Sequence, residues 1–194
     1  NEGFRGGGIF AKNSNPSLKN VIISGNKGSG ILLDYSNPTL FNMIIINNES
    51  EYSGGGMDLR YSNPTMSHII ISDNNGDSGG MSLVSSNPIL RYVTISGNNG
   101  RLGGGLRLNR SNPTFNHVTI SNNYAPLNDD ALDVAWGGAA MYLSRSNPML
   151  INSIIWNNSP MSIFIFQSGD SDSLLSNPVI SYSNIQGGWE GEGN

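Results

Sequence analysis

Apolar and polar residues alternate in short segments that recur along the whole chain. Segments of one kind follow a glycine-rich stretch and carry two apolar residues separated by one position, as in Ile31/Leu33, Met57/Leu59, Met81/Leu83 and Leu106/Leu108. Alternation with a period of two is typical of a β-strand that buries one face. We call each of these segments strand A.

A second apolar pattern follows the tripeptide Ser-Asn-Pro, which occurs seven times, with its prolines at Pro16, Pro38, Pro64, Pro88, Pro113, Pro148 and Pro178. The residue two positions after each proline is large and apolar, and the residue seven positions after it is isoleucine in every copy. Because proline lacks an amide donor, it suits the start of a strand rather than its middle. We call the segment after the proline strand B.

The prolines are 22 to 35 residues apart, a period typical of solenoids in which each repeat packs against its neighbours. Two or three short strands per repeat, stacked in parallel, predict an all-β fold, a right-handed parallel β-helix of about seven rungs. We expect residues 1–194 to form this single domain as a segment of a longer protein, because the chain begins with Asn1 and neither end carries a polar capping repeat. Additional chain or a partner protein is expected to cover one or both ends.

Asparagine recurs ten positions after the proline, at Asn26, Asn48, Asn74, Asn98, Asn123 and Asn158. Stacked strands lie about 4.8 Å apart, so these amides are close enough to hydrogen-bond from rung to rung. We predict similar ladders for the Ser-Asn pair before each proline. The glycines before strand A are predicted to supply corners with positive φ.

Charge and composition exclude several classes of function. The net charge of −4 and the pI of about 5.0 argue against a nucleic-acid surface, since such a surface needs clustered lysine and arginine. The chain has no cysteine, which excludes disulfide scaffolds, thiolate metal sites and cysteine nucleophiles. No apolar stretch approaches the ~20 residues of a membrane-spanning helix, so we expect no membrane insertion.

The repeat pattern of Gly-Gly-x-Φ, Ser-Asn-Pro-x-Leu-x-Asn and Ile-x-x-Asn, where Φ is apolar, resembles that of bacterial right-handed parallel β-helix repeat proteins of the pectate-lyase-like superfamily. It is also similar to the repeats of polymorphic outer-membrane proteins, and residues 183–194 are similar to segments of large secreted proteins of Bacteroidetes. The resemblance covers essentially the whole chain and implies a secreted or cell-surface protein. It is specific for the fold and weak for the function, because this fold hosts lyases, hydrolases, adhesins and stalks.

The resemblance leaves two functions open: a non-catalytic adhesin or stalk module, and a polysaccharide-active lyase or hydrolase. The family's hydrolases use Asn-Thr-Asp, Asp-Asp and Gly-His-Gly motifs, of which the chain has only Asp129-Asp130, in an insertion rather than on a strand. His68 and His117 share a column four positions after the proline, but two rungs, about 9.6 Å, separate them, too far for one metal ion. We favour the non-catalytic module.

Two insertions, residues 124–136 and 167–175, lie on adjacent rungs, one before strand A and one after it. We expect them to border a glycan-binding groove on the outer face of strand A, with the candidate residues Arg107, Arg110, Tyr142, Arg145, Phe164 and Phe166. Aromatic faces and fork-shaped polar groups suit a sugar-binding groove. The alternative is that Leu132, Trp136 or Leu174 of an insertion folds over the two phenylalanines.

Charged residues suggest two further features. The insertions carry weak candidates for Ca²⁺ ligands, at a spacing that does not fit an EF-hand loop, namely Asp129, Asp130, Asp133, Asp170 and Asp172. We expect no other cofactor. On strand A, Lys12, Asp34 and Arg60 share one outward column, which predicts a ladder of salt bridges.

Strand B presents apolar residues on its outer face. Positions five and seven after the proline point inward, so positions six and eight point outward and carry what we call the isoleucine stripe, namely Ile22, Ile44, Ile46, Ile70, Ile154 and Trp156. A contiguous apolar patch usually marks a contact, so we predict that a protein partner or a neighbouring domain docks here. The general preference of sheets for β-branched residues is the alternative. Thr94 and Thr119 share the column but are too few for the threonine array of an ice-binding solenoid.

Overall fold

A computed structural model describes residues 7–126, 137–166 and 175–194. These residues form twenty β-strands in three parallel sheets. They contain no helix, and hence none of a length and apolarity that could cross a membrane. Successive strands of each sheet come from successive repeats, which is the topology of a parallel β-helix and confirms the predicted all-β fold.

Sheet A contains the seven strands that begin after the glycine-rich corners, which confirms about seven rungs: β1 (Ile9–Lys12), β3 (Ile31–Asp34), β6 (Met57–Arg60), β9 (Met81–Val84), β12 (Leu106–Asn109), β15 (Gly138–Ser144) and β18 (Met161–Ile165). Neighbouring strands are parallel and in register, with Met81 beside both Met57 and Leu106. The seventh rung uses Ile163 and Ile165 as its inward pair, opposite Met141 and Leu143.

Sheet B contains the segments after each Ser-Asn-Pro: β2 (Ser17–Ser24), β4 (Thr39–Ile46), β7 (Thr65–Ser72), β10 (Ile89–Ser96), β13 (Thr114–Asn116), β14 (Thr119–Ser121), β16 (Met149–Ile151), β17 (Ile154–Trp156), β19 (Val179–Ser181) and β20 (Asn184–Ile185). In the first four rungs the segment is one strand of eight residues, and in the last three it is divided into two. A third, shorter sheet joins β5 (Glu49–Gly54), β8 (Asn75–Ser78) and β11 (Asn99–Gly100).

Every copy of strand B bends four residues after its proline. Leu40, Met43 and Ile45 are all buried although the first two are three positions apart, which breaks simple alternation. Asn42 lies between them with φ of 51°, a left-handed conformation that turns the next side chains inward again. The bend lets one segment line two sides of the core.

Glycine is required at the corner mainly because the neighbouring rung leaves no room for a side chain. A Cβ on Gly80 would lie 2.4 Å from the carbonyl oxygen of Gly105 in the next rung, and Gly8, Gly30, Gly56 and Gly105 are confined in the same way. Among the described corner glycines only Gly28 and Gly103 have positive φ. The predicted reason, positive φ, is therefore wrong for the last glycine of the corner, directly before strand A, where close backbone approach excludes a side chain.

An inner asparagine ladder runs along the core, as predicted. Asn74 Nδ2 and the Asn74 backbone amide both donate to Asn98 Oδ1, each at 3.0 Å. The same Nδ2 also donates to the carbonyl oxygen of Ile45 in the preceding rung. The other members repeat this geometry from Asn26 to Asn158. The buried side-chain amides thus supply hydrogen-bond partners for the backbone groups at each corner.

The Ser-Asn pairs form two further ladders, in which the backbone amides donate in opposite directions along the rod. The amide of Ser62 donates to Ser86 Oγ of the following rung, whereas the amide of Asn63 donates to Asn37 Oδ1 of the preceding rung. The serines of the ladder are buried from Ser36 onward, and the asparagines are exposed. Both predicted ladders are confirmed.

The last rung is covered by residues 186–194, which turn back across it. Trp189 packs against the core, and the amide of Ser183 donates to Asn194 Oδ1 at 2.9 Å. Asn194 Nδ2 in turn donates to the carbonyl oxygen of Ile180. Residues of the chain itself therefore supply hydrogen-bond partners to strand B of this rung.

Candidate functional site

The six candidate groove residues lie on three consecutive rungs of sheet A. Arg107 of β12 is beside Tyr142 of β15, and Tyr142 is beside Phe164 of β18. Phe166 follows directly after β18, and its amide donates to the carbonyl oxygen of Leu143. The repeat thus brings these residues together, as the spacing predicted.

The outer face of sheet A is largely covered. Leu32, Asp58, Ser82 and Tyr142 all project from it, yet each is only 1 to 4% exposed. The chain entering β6 folds closely over the sheet, since a Cβ on Gly54 would lie 2.8 Å from the amide nitrogen of Ser82. The expectation of an exposed groove residue is therefore wrong for Tyr142.

Tyr142 is therefore the centre of an aromatic cluster rather than an exposed platform for sugar. Its ring stacks on Phe164 with centroids 5.4 Å apart and on Phe166 with centroids 6.0 Å apart. Burial raises the pKa of the Tyr142 phenol above its ordinary value, against the opposing effect of the Arg107 guanidinium. Both phenylalanines remain half-buried, so their outer edges are the accessible part of the cluster.

Arg107 is held by an acidic residue that was not predicted from the sequence. Arg107 Nη1 lies 3.4 Å from Asp77 Oδ2, and Arg101 Nη2 lies 2.8 Å from Asp77 Oδ1. Asp77 lies on β8 of the third sheet, 30 residues before Arg107. Arg107 consequently serves an internal ion pair, which reduces its capacity to bind a ligand.

Arg110 and Arg145 differ from Arg107 in being exposed and free of ion pairs to any carboxylate in the described chain. They follow β12 and β15 directly, and the amide of Arg110 donates to the carbonyl oxygen of Ser144. Their φ values are 51° and 50°, a conformation that favours asparagine, which occupies the same column at Asn13. Two guanidinium groups therefore project side by side from adjacent rungs, about 4.8 Å apart at the backbone.

Most of both insertions lies outside the described residues, at 127–136 and 167–174. All five Ca²⁺ candidates, Asp129, Asp130, Asp133, Asp170 and Asp172, fall there, as do the three apolar residues considered as covers, Leu132, Trp136 and Leu174. In the part of the chain that the structure describes, no group of three or more histidine, aspartate or glutamate residues is placed to hold a metal ion.

The predicted charge ladder on strand A is correct at one end only. Lys12 Nζ lies 3.6 Å from Asp34 Oδ2. Arg60 instead donates from Nε and Nη2 to Asp58 Oδ2, the shorter contact being 2.6 Å. Burial raises the pKa of the Asp58 carboxyl, and the hydrogen bond and charge of Arg60 act in the opposite direction.

The isoleucine stripe faces outward on sheet B. Ile22, Ile44, Ile70, Ile154 and Trp156 are 36 to 69% exposed, and Ile46 is half-buried. The structure thus confirms the predicted orientation. Docking of a partner on the stripe remains a prediction.

A row of neighbouring rings at the bend of strand B was not predicted from the sequence. His68, Tyr92 and His117, each four positions after its proline, lie in a row along the rod with Phe41, which is three positions after Pro38. Neighbouring ring centroids are 5.1 to 5.3 Å apart, and the ring planes are tilted by 34 to 56°. The rings are exposed at the surface, Phe41 at 38% and Tyr92 at 54%. The shared column of the two histidines is confirmed.

Comparison with protein families matches residues 7–181 to the family described as right handed beta helix region. No curated protein and no solved structure shows a significant match. The matched residues span nearly all seven rungs and include both arginines of the exposed pair. The chain belongs to the right-handed beta helix family.

Proposed function

We propose that this chain is a non-catalytic β-helix module of a secreted or cell-surface protein, of the bacterial type that its repeat resembles, and that it binds an acidic polysaccharide. The observation that carries the proposal is the pair Arg110 and Arg145, two exposed guanidinium groups without a carboxylate partner in the described chain. A chain of net charge −4 repels polyanions over most of its surface, so binding would be confined to a local basic site.

The arrangement of the pair suits an extended polyanion. Each guanidinium can bind one carboxylate through two parallel hydrogen bonds. Adjacent rungs present the two groups about 4.8 Å apart along the rod, so a ligand with regularly repeated carboxylates can bind both at once. The outer edges of Phe164 and Phe166, on the next rung, offer apolar contact for the sugar ring beside it.

A rigid frame supports this role as a stalk or adhesin. Both arginines directly precede the buried serine ladder, in which the amide of Ser111 donates to Ser146 Oγ at 3.0 Å. The side chains therefore start from a fixed backbone, and binding requires ordering of the side chains alone.

The alternative, a polysaccharide-active enzyme, needs an accessible acid or base beside the bound sugar. The described carboxyl with a raised pKa, Asp58, is 1% exposed and paired with Arg60, so substrate does not reach it. Asp77 is engaged by two arginines. Among the described residues, these two placements favour the binding module over the enzyme.

The test is calorimetric titration of the chain with polygalacturonate and, separately, with a neutral glucan of similar length. We expect binding to polygalacturonate alone, weakened by added salt. Arg110→Gln with Arg145→Gln should weaken it at least about tenfold, the equivalent of one lost charge-assisted hydrogen bond. Arg91→Gln, a change of another exposed arginine on sheet B, is the matched control and should leave affinity unchanged.

Equal loss with Arg91→Gln, or binding that the double variant retains, would show that the pair is not the site. New reducing ends in the polygalacturonate after incubation would instead identify the chain as an enzyme and contradict the non-catalytic assignment.

A further inference from the structure

The residues directly after strand A form one outward column along the rod, which we call the exit column. From the first rung to the sixth it reads Asn13, Tyr35, Tyr61, Ser85, Arg110 and Arg145. All six have φ between 49 and 51°, so their side chains leave the backbone in the same way. The amide of Tyr61 donates to the carbonyl oxygen of Val84, and that of Ser85 donates to the carbonyl oxygen of Asn109. These bonds to the next rung keep the column in register.

Tyr35 and Tyr61 show how flat groups pack in the exit column. Their rings are stacked, with centroids 4.7 Å apart and planes within 10° of parallel. This distance is close to the ~4.8 Å between rungs, so the rings stand one above the other along the rod. Both are exposed, at 56 and 51%. One face of the Tyr61 ring is thus covered by Tyr35, and the other is turned toward the rung of Ser85.

Ser85 interrupts the column with a small side chain. Its neighbours in the column, Tyr61 and Arg110, are large and exposed, whereas Ser85 is short and half-buried. Two rung steps, about 9.6 Å, separate the backbones of Tyr61 and Arg110. A notch one rung wide therefore lies between the phenol ring and the guanidinium, with Ser85 as its floor. A ring placed in the notch would lie about 4.8 Å from each wall, close to the spacing of the two stacked tyrosines.

Fixed amide donors accompany the column, two residues further along the chain. They belong to the exposed asparagine ladder, at Asn63, Asn87 and Asn112 in these rungs. The amide oxygen of Asn63 accepts from the backbone of Asn87, and that of Asn87 accepts from the backbone of Asn112, both at 2.6 Å. Because the oxygens are held in this way, the exposed Nδ2 groups are the part of each amide that can donate to ligand hydroxyl groups.

We propose that the notch binds one uronic acid ring of the acidic polysaccharide, with its apolar face on Tyr61 and its carboxylate on Arg110. The polysaccharide then continues along the exit column to Arg145, parallel to the rod. This inference rests on the proposed function and adds to it the ring subsite and the direction of the ligand.

The two walls of the notch together select this chemistry. The face of a tyrosine ring packs against the C–H groups on the face of a sugar ring. A guanidinium forms charge-assisted hydrogen bonds with a carboxylate. A neutral sugar gives Arg110 no charged partner, and a small carboxylate without a ring makes no contact with the face of Tyr61. A ring that carries a carboxylate uses both walls.

The first test fills the notch with a side chain. Ser85 has the same φ as Tyr35, so a tyrosine fits this backbone and would continue the stack. We expect Ser85→Tyr to weaken binding of polygalacturonate at least about tenfold in calorimetric titration. Asn13→Tyr is the matched control, because it adds the same side chain to the same column at the same φ but on the far side of Tyr35. Its affinity should equal that of the wild type.

The second test removes the aromatic wall. Tyr61→Ala should weaken binding about threefold to tenfold, the range expected for one lost ring contact. Tyr52→Ala is the matched control, since Tyr52 is 75% exposed but lies on β5 of the third sheet, outside the exit column. Circular dichroism of each variant shows whether a loss comes from unfolding.

Loss of affinity in Ser85→Tyr and in Tyr61→Ala, with both controls at the wild-type value, supports the notch as the ring subsite. Any other pattern among the folded variants overturns it. If Ser85→Tyr does not fold, Tyr61→Ala compared with Tyr52→Ala decides.

Failure of this inference differs from failure of the proposed function. If Arg110→Gln with Arg145→Gln abolishes binding while Ser85→Tyr and Tyr61→Ala bind as the wild type does, the arginine pair is the site and the notch is not. A wild-type chain that does not bind polygalacturonate overturns both proposals.

Discussion

Asn98 accepts two hydrogen bonds from Asn74 on a single oxygen, since the backbone amide and Nδ2 of Asn74 both lie 3.0 Å from Asn98 Oδ1. Asn98 itself is fully buried and donates onward to Asn123 Oδ1. The side chain of Asn98 thus accepts from two buried donors of Asn74 and also donates to the next rung.

We expect Asn98→Ala to lower the free energy of unfolding by about 2–5 kcal/mol, because it leaves two buried donors of Asn74 without an acceptor. Chemical denaturation followed by circular dichroism measures the loss. Asn87→Ala, in the exposed ladder of the same rung, is the control and should cost less than about 1 kcal/mol because water replaces the lost acceptor. Similar losses for the two variants would contradict a special role of the inner ladder.

Gly80→Ala tests the close packing of the glycine corner. The added Cβ would lie 2.4 Å from Gly105 O, a backbone atom that moves only with its rung, so we expect a loss of about 1–3 kcal/mol in stability. The sixth rung has Ala140 beside Gly105, and Ala140→Gly should change stability by less than about 1 kcal/mol. An unchanged unfolding midpoint for Gly80→Ala would show that the rungs separate easily.

Asp58→Asn should alter the pH dependence of stability. Burial raises the pKa of the folded-state carboxyl above 3.8, so the folded chain binds this proton more tightly than the unfolded chain. The associated stability is fully present below pH 3.8 and is lost as pH rises through the folded-state pKa. The wild-type free energy of unfolding, minus that of the variant, should therefore fall as pH rises from about 3 and then level off.

Denaturant titrations at a series of pH values measure this difference. A difference that rises with pH would mean that the ion pair with Arg60 outweighs burial and lowers the pKa of Asp58.

Trp189→Ala tests the C-terminal cover of the last rung. Trp189 is half-buried against the core, so its removal should cost about 1–3 kcal/mol, less than for a fully buried tryptophan. Glu190→Ala, a change of the exposed neighbour, should have an effect below about 0.5 kcal/mol. If the two variants unfold at the same denaturant concentration, the cover contributes nothing to the stability of the last rung.

The sequence predicted those features that repeat with the rungs. The inward columns, the ladder from Asn26 to Asn158 and the exposure of the isoleucine stripe follow from position relative to the proline, which is fixed in every copy. The burial of Tyr142 and the pairing of Arg107 with Asp77 were not predictable in this way. Asp77 lies outside strands A and B, in a connection whose length differs from rung to rung, and Phe166, which stacks on Tyr142, lies beyond the end of its strand.

The directions of the ladders have a consequence for how long such a rod can be. The inner amides donate to the following rung and the outer asparagine amides donate to the preceding one, so each interior rung presents a donor set and an acceptor set that match those of any other. A rung can therefore be duplicated or removed without leaving unmatched groups at the new junction. Each duplication would lengthen the rod by about 4.8 Å, which makes reach adjustable in evolution through repeat number alone.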